Sequence, residues 1–75
     1  MTPEVKRFCD VVNRRLMTMS AIVHNELVEF LEDHCLGSNG NLMFNKSDVR
    51  DIADILDVNT NCIDDILFEE FNIEL

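Results

Sequence analysis

The fold class follows from residues 49–67, which read VRDIADILDVNTNCIDDIL. A helix-turn-helix motif needs apolar residues where two short helices cross, and a small residue where their backbones approach. Ala53 is the small residue, and Asp57 stands in the turn, where the backbone visits left-handed conformations that aspartate tolerates. The apolar positions are filled by Ile52, Leu56, Val58, Ile63 and Ile66. The stretch therefore predicts a helix-turn-helix-like pair at about residues 46–72.

The residues upstream predict further helices. Thr2, Pro3 and Glu4 combine a hydroxyl N-cap, a proline at the first helical position and an acid at the positive end of the helix dipole. Two apolar patterns at helical spacing follow, the first formed by Val5, Phe8, Val12 and Leu16 and the second by Ile22, Val23, Leu27, Phe30 and Leu31. Residues 18–20 between them favour a break or a kink, and residues 37–41, which hold both glycines, predict a loop. The sequence thus predicts a single all-α domain over residues 1–75, with four or five short helices.

Charge is distributed unevenly along the chain, whose net charge is −9. Residues 1–18 hold four cations and two acids, a local balance of +2, whereas the remainder holds two cations and thirteen acids. After Arg50 there are eight acids and no cation. Such a field repels phosphates and anionic lipid and attracts basic protein surfaces, although a solvated face that confers solubility gives the same pattern. We therefore expect a basic protein partner and no direct contact with nucleic acid or membranes.

The three cysteines, Cys9, Cys35 and Cys62, are odd in number and lack C-x-x-C spacing, so we expect free thiols in a reducing compartment. The first residues do not read as a signal peptide, because residues 16–23 form only a short, interrupted apolar run. No uncharged stretch approaches the roughly twenty apolar residues of a transmembrane helix. These features predict a cytoplasmic protein.

The sequence contains no recognisable catalytic or cofactor-binding pattern. A calcium loop centred on Gly40 would place Cys35 first and Lys46 twelfth, where oxygen ligands are required. The histidines and cysteines lack zinc-finger spacing. The acids are expected on outer helix faces, in a chain too short for a deep pocket. We therefore predict no enzymatic activity, no catalytic residue, no metal and no cofactor.

The second helix of the predicted pair is poorly suited to reading DNA. Its exposed positions are expected to be Asn59, Thr60, Asn61, Asp64 and Asp65. A DNA-reading helix offers amides and cations to bases and phosphates, and here no lysine or arginine follows to release counterions. The pair is interpreted as a scaffold for protein contact.

Two apolar stripes are candidates for that contact. The first is formed by Val5, Phe8, Val12 and Leu16, with Arg15 at its border. It either packs on the remaining helices or faces a partner or a second copy of the chain, giving a homodimer with arginine at the rim. The second stripe comprises Ile66, Leu67, Phe68 and Phe71, bordered by acids that suit a basic-rimmed groove. Four large apolar residues within six positions cannot all face one core, so we expect Phe68 to be an exposed anchor.

The order of features in residues 30–71 points to a family. Residues 30–33 end a helix, a glycine-containing loop follows, residues 45–52 open the next helix, and residues 63–71 form an acidic and apolar segment. This order, with a helix-turn-helix-like pair that lacks DNA contacts, resembles the small all-helical phage anti-sigma proteins of the AsiA type. The resemblance implies a protein that binds the promoter-recognition domain of a bacterial sigma factor and redirects RNA polymerase. It also implies that the N-terminal helices serve both sigma binding and self-association.

Three functions follow as hypotheses. The first is a non-enzymatic regulatory protein that binds and inhibits or redirects a basic protein machine, such as a sigma–polymerase assembly in the host cytoplasm. Its contact residues would be Val5, Phe8, Val12, Arg15, Leu16, Phe68 and Phe71. The second is a DNA mimic, in which carboxylates replace phosphates at a nucleic-acid-binding site; they would be Asp51, Asp54, Asp57, Asp64 and Asp65. The third is a helix-turn-helix DNA-binding regulator that uses its basic N-terminus.

Overall fold

The computed structural model describes residues 2–16 and 19–75. Within these ranges it contains four α-helices: α1 (Pro3–Leu16), α2 (Ala21–Phe30), α3 (Lys46–Leu56) and α4 (Thr60–Phe71). The last residue of α2 leads directly into a π-helical turn, Leu31–Cys35. The prediction of an all-α fold with a helix-turn-helix-like pair in its C-terminal half is confirmed.

Two separate helices occupy the N-terminal part of the chain, since α1 ends at Leu16 and α2 begins at Ala21. Ser20 caps α2, because its hydroxyl oxygen accepts a backbone hydrogen bond at 3.2 Å. The predicted break or kink at residues 18–20 lies partly outside the described residues, which do not include Thr18.

Local hydrogen bonds set the boundaries of the helix-turn-helix-like pair. Asn45 Oδ1 accepts from the amide of Asp48 at 2.8 Å, and Asp48 Oδ2 accepts from the amide of Asn45 at 3.1 Å, which together form a capping box. At the other end of α3, Asp57 adopts φ 56°, the left-handed conformation expected for it from the sequence. Asn59 then caps α4 by accepting from the amide of Asn61 at 3.0 Å. A three-residue connection thus holds α3 and α4 together.

The loop predicted at residues 37–41 is present and closes on itself. A single antiparallel bridge joins Leu36 and Leu42, and the carbonyl of Cys35 accepts from the amide of Met43 at 2.8 Å. Gly40 has φ 84°, a conformation that favours glycine. The loop therefore carries the chain from the π-helical turn to the start of α3.

One hydrophobic cluster contains residues from all four helices and from the π-helical turn. Every residue in its buried part is apolar or a cysteine: Val5, Phe8, Cys9, Val11, Val12, Leu27, Leu31, Cys35, Val49, Ile52, Ala53, Leu56, Ile63, Ile66 and Leu67. The Cα radius of gyration is 11.1 Å, close to the about 11 Å expected for a compact chain of this length. The described residues therefore pack around one core.

The helices are short. The longest, α1, has 14 residues, whereas a helix needs roughly 20 apolar residues to span a bilayer. In the part of the chain that the structure describes, no helix has the length and hydrophobicity for such a span.

Candidate protein-binding surface

The exposed face of α4 carries a phenylalanine beside two carboxylates. Phe68 is 56% exposed, although its neighbour Leu67 is buried in the core. Asp64 and Asp65 precede Phe68 by four and three residues, so the three side chains lie on one face of the helix. Both aspartates are exposed, and no described cation lies within ion-pair distance of either. This face therefore presents an aromatic ring next to carboxylates that form no ion pair with a described cation. Lys46 and Arg50 of α3 line a neighbouring cleft together with Asp64.

A cleft lined by both apolar and acidic residues adjoins Phe68. Asn72 has φ 57° after the last turn of α4, and the carbonyl of Leu67 accepts from the amides of both Asn72 and Ile73, the latter at 2.9 Å. This turn brings the residues after α4 beside its exposed face. The cleft has a volume of about 230 Å³ and is lined by Asp64, Asp65, Leu67, Phe68, Ile73, Glu74 and Leu75. Its four apolar and three acidic residues suit a large apolar side chain from a segment that also carries positive charge.

The other acidic pair of α4 is neutralised within the chain. Arg15 forms ion pairs with Glu69 at 2.6 Å and with Glu70 at 3.1 Å, and Arg14 forms one with Glu70 at 3.1 Å. The two carboxylates accept hydrogen bonds from the Arg15 guanidinium and raise its pKa. We call this group the arginine clamp: Arg14, Arg15, Glu69 and Glu70. The clamp joins the last turn of α1 to the last turn of α4.

A third arginine of α1 reinforces the same contact. The guanidinium of Arg7 lies 4.8 Å from the ring centroid of Phe71, a cation–π geometry, and it donates to the carbonyl oxygen of Glu70 at 3.3 Å. Phe71 also packs against Phe8, with 5.6 Å between their ring centroids. Phe71 of α4 is thus half-buried against α1. Its ring is not available for the partner contact that the sequence predicted.

The first predicted contact stripe is not a surface of this fold. Val5, Phe8 and Val12 are 0% exposed, and Leu16 is half-buried against the core. The stripe packs on the remaining helices, which is the first of the two interpretations considered for it. Arg15 pairs with α4, so the predicted interface rim is an intramolecular contact. Helical spacing shows that one face of a helix is apolar, but it does not show what covers that face. In this small chain the face of α1 is buried in the core.

The predicted exposure of Phe68 is confirmed, and the predicted acidic residues are all exposed. They are Asp51, Asp54, Asp57, Asp64 and Asp65. No ion pair with a described cation involves any of these five. Asp51 and Asp54 are three residues apart and lie on one face of α3. Asp64 and Asp65 are adjacent and lie on the exposed face of α4. Unneutralised acids therefore lie on both helices of the pair.

Sequence reasoning missed two strongly exposed apolar residues, Ile22 (72% exposed) and Met43 (69% exposed). Ile22 shares its face of α2 with Glu26, four residues later, rather than with the buried Leu27. Met43 lies between two half-buried residues in an extended stretch, where alternate side chains point to opposite sides. The spacing of Ile22 and Glu26 and the alternation around Met43 could both have been read from the sequence. A second cleft, of about 330 Å³, is lined by Val23, Ile55, Leu56, Asp57 and Val58.

Two of the three cysteines, Cys9 and Cys35, are buried in the core. Burial, with the nearby carboxylates of Asp10 and Glu32, raises the pKa of Cys9 to about 11. The pKa of Cys35 is raised to about 12, mainly by burial and to a smaller extent by the charge and hydrogen bond of Asp48. Within residues 2–16 and 19–75, no group of three histidine, cysteine, aspartate or glutamate side chains is arranged to hold a metal ion. Cys9 and Cys35 act as small core residues.

Comparison with known proteins returns no match for this chain, whether with family models, curated proteins or solved structures.

Proposed function

We propose that this chain is a non-enzymatic regulatory protein that binds a basic protein surface through the exposed face of α4 and thereby inhibits or redirects its partner. The observation that carries the proposal is the exposed ring of Phe68, which stands beside the unpaired carboxylates of Asp64 and Asp65. Exposed aromatic residues next to a cleft are typical anchors of protein interfaces. The anchor supplies apolar contact area, and the carboxylates select for a cationic partner.

The distribution of charge supports a basic partner. All three arginines of α1 contact the last turn of α4, so they do not offset the acids elsewhere on the surface. The eight acids after Arg50 leave the C-terminal half strongly negative even after two of them enter the arginine clamp. Complementary charge accelerates association and disfavours partners of the same sign.

The specific candidate partner is the promoter-recognition domain of a bacterial sigma factor, as the resemblance to anti-sigma proteins of the AsiA type implies. Such a domain binds DNA, so its contact surface is basic. Binding there would compete with promoter contacts and change which promoters the polymerase uses. The same chemistry fits other basic components of a transcription or replication machine.

The test is affinity capture from a bacterial lysate with three baits: the wild-type chain, Phe68→Ala and Ile22→Ala. Ile22→Ala is the matched control, because it also removes an exposed apolar side chain but lies on α2. We expect sigma factor or polymerase subunits with the wild-type and control baits, and at least about tenfold less with Phe68→Ala, as for an interface anchor. Equal recovery by all three baits would contradict the proposed surface.

A DNA mimic is the second candidate function, and the five exposed, unpaired aspartates favour it. Mimicry depends on carboxylate spacing and needs no exposed aromatic anchor. A nuclease or replication protein captured equally well by wild type and Phe68→Ala, and released by duplex DNA, would support mimicry.

The third hypothesis, direct DNA binding through the basic N-terminus, receives no support from the arginines of α1. Residues 60–71, which form α4, include no lysine or arginine, and Arg7, Arg14 and Arg15 of α1 already contact α4. We expect no retention on duplex DNA at about 50 mM salt.

A further inference from the structure

Helix α4 contains two similar elements in succession. Residues 64–71 read DDILFEEF, so an acidic pair with a following phenylalanine occurs twice. In the second element the acids are Glu69 and Glu70 and the phenylalanine is Phe71. In the first element they are Asp64, Asp65 and Phe68. Both elements combine two carboxylates with a phenylalanine, which follows the acidic pair by three residues in the first element and directly in the second. Their surroundings are very different.

The second element is occupied by a basic amphipathic helix, which is α1 of the same chain. Two arginines of α1 pair with the glutamates, and Arg7 stacks on Phe71 at 4.8 Å. Phe8 of α1 fills the space beside the same ring, with 5.6 Å between the ring centroids. The first element has none of these contacts with described residues. Phe68 is exposed, and the adjacent cleft contains no side chain of another helix.

We infer that the first element, with its cleft, is a docking site for an arginine-bearing amphipathic helix of a partner protein. This inference rests on the proposed function and specifies how the partner binds. The guanidinium groups pair with Asp64 and Asp65 and stack on the ring of Phe68. A large apolar side chain from the same face of the partner helix enters the cleft beside Ile73 and Leu75.

Charge complementarity and the contacts that α1 makes with α4 both favour an arginine-bearing helix as the binding partner of this site. The carboxylates of Asp64 and Asp65 repel phosphates, which disfavours nucleic acid and anionic membranes. A guanidinium combines a planar, two-pronged donor for carboxylates with a flat face for an aromatic ring, whereas a lysine ammonium is a point charge. Arg15 uses the donor function against Glu69 and Glu70, and Arg7 uses the stacking function on Phe71. An arginine helix of a partner would find carboxylates five residues earlier in α4 and an aromatic ring three residues earlier.

The test uses a fluorescent helical peptide that carries two arginines four residues apart, with a leucine on the same face. Matched peptides replace both arginines by lysine or by uncharged citrulline. We expect the arginine peptide to bind the wild-type chain, the lysine peptide to bind several-fold more weakly, and the citrulline peptide not to bind at low salt. Asp64→Asn with Asp65→Asn, and separately Phe68→Ala, should each weaken binding by at least about tenfold.

The matched control is Asp51→Asn with Asp54→Asn, which removes the same charge from the exposed face of α3. It should leave the affinity within about threefold of wild type, because only long-range attraction is lost. Circular dichroism of each variant checks that its helical content is unchanged. All of the substituted residues are exposed.

The possible failures are distinguishable. Equal weakening by the two aspartate double variants would overturn the inference. That result would still agree with a basic protein partner that is attracted by the negative charge of the whole surface. Equal affinity for the arginine and lysine peptides would also overturn it. If neither a cationic peptide nor a basic protein bound the chain at low salt, both the inference and the proposed function would be rejected.

Discussion

Phe8 and Phe68 lie on amphipathic helices that carry charged residues near the ring, yet their environments are opposite. Phe8 of α1 is 0% exposed and packs against Phe44 and Phe71, with ring centroids 5.2 and 5.6 Å apart. Phe68 of α4 is 56% exposed. In a chain of 75 residues the core uses the apolar positions that recur at regular helical spacing. The residue that lies off the buried stripe stays exposed, so Phe8 is structural and Phe68 is the residue that we propose for contact with a partner.

The largest expected effect separates these two roles by stability. Phe8→Ala should lower the free energy of unfolding by about 3–5 kcal/mol, because it leaves a cavity between two other aromatic rings. Phe68→Ala should change it by no more than about 0.5 kcal/mol, as for other exposed positions. Urea denaturation followed by circular dichroism measures both values. Similar losses for the two variants would show that Phe68 also belongs to the core.

The thiols provide a second comparison between buried and half-buried positions. Cys9 of α1 is buried with a pKa raised to about 11, and Cys35 has a pKa raised to about 12, whereas Cys62 of α4 is only half-buried. Since the thiolate is the reactive form, iodoacetamide at about pH 8 should modify Cys62 first and leave the other two unmodified in the folded chain. Mass spectrometry of the digested product identifies the site. Modification of Cys9 at the same rate as Cys62 would contradict the burial of α1.

The raised thiol pKa values also predict how stability depends on pH. In the unfolded chain these thiols ionise near 9.0, but in the folded chain Cys9 and Cys35 stay protonated to about 11 and about 12. Their contribution to the free energy of unfolding is therefore complete below about pH 9 and is lost as the pH rises from there towards 12. Urea midpoints measured from about pH 7 to pH 11 should fall only in the alkaline part of the range. A constant midpoint would contradict the buried thiols.

The smallest expected effect concerns the arginine clamp. Arg15→Gln removes two ion pairs between α1 and α4, so it should lower the melting temperature slightly at low salt. Lys46→Gln is the control, because Lys46 is in no ion pair among the described residues and the loss of net charge is the same. The difference between the variants should shrink at about 1 M NaCl. A larger decrease for Lys46→Gln would show that the clamp does not join the two helices.

The features of the fold that could be predicted from the sequence are those that depend on local backbone preferences and apolar spacing. The sequence predicted the helix-turn-helix-like pair and its left-handed turn at Asp57, because local backbone preferences and apolar spacing determine both. It also predicted the exposure of Phe68, because four apolar residues within six positions cannot all face one core. The π-helical turn at residues 31–35 was not predicted, since LEDHC carries no distinctive local signal.

The destination of the α1 stripe could not be predicted, because it depends on contacts between distant parts of the chain. Arg15 and Glu70 are 55 residues apart in sequence, and Arg7 reaches the carbonyl of a residue 63 positions away. Spacing along α1 shows that one face is apolar and that arginines border it. Whether that face meets α4 of the same chain or a partner depends on the packing of the whole core.

The comparison between α1 and α4 can be tested in one titration. The ¹⁵N-labelled chain is titrated with the arginine-bearing helical peptide, and amide chemical shifts are followed by nuclear magnetic resonance. We predict that the shifts change most at Asn61, Asp64, Asp65 and Phe68 and in the segment after α4, with little change at Val5 or Val12. Changes centred on α1, with α4 unaffected, would contradict the assignment of α1 to the core and of α4 to partner binding.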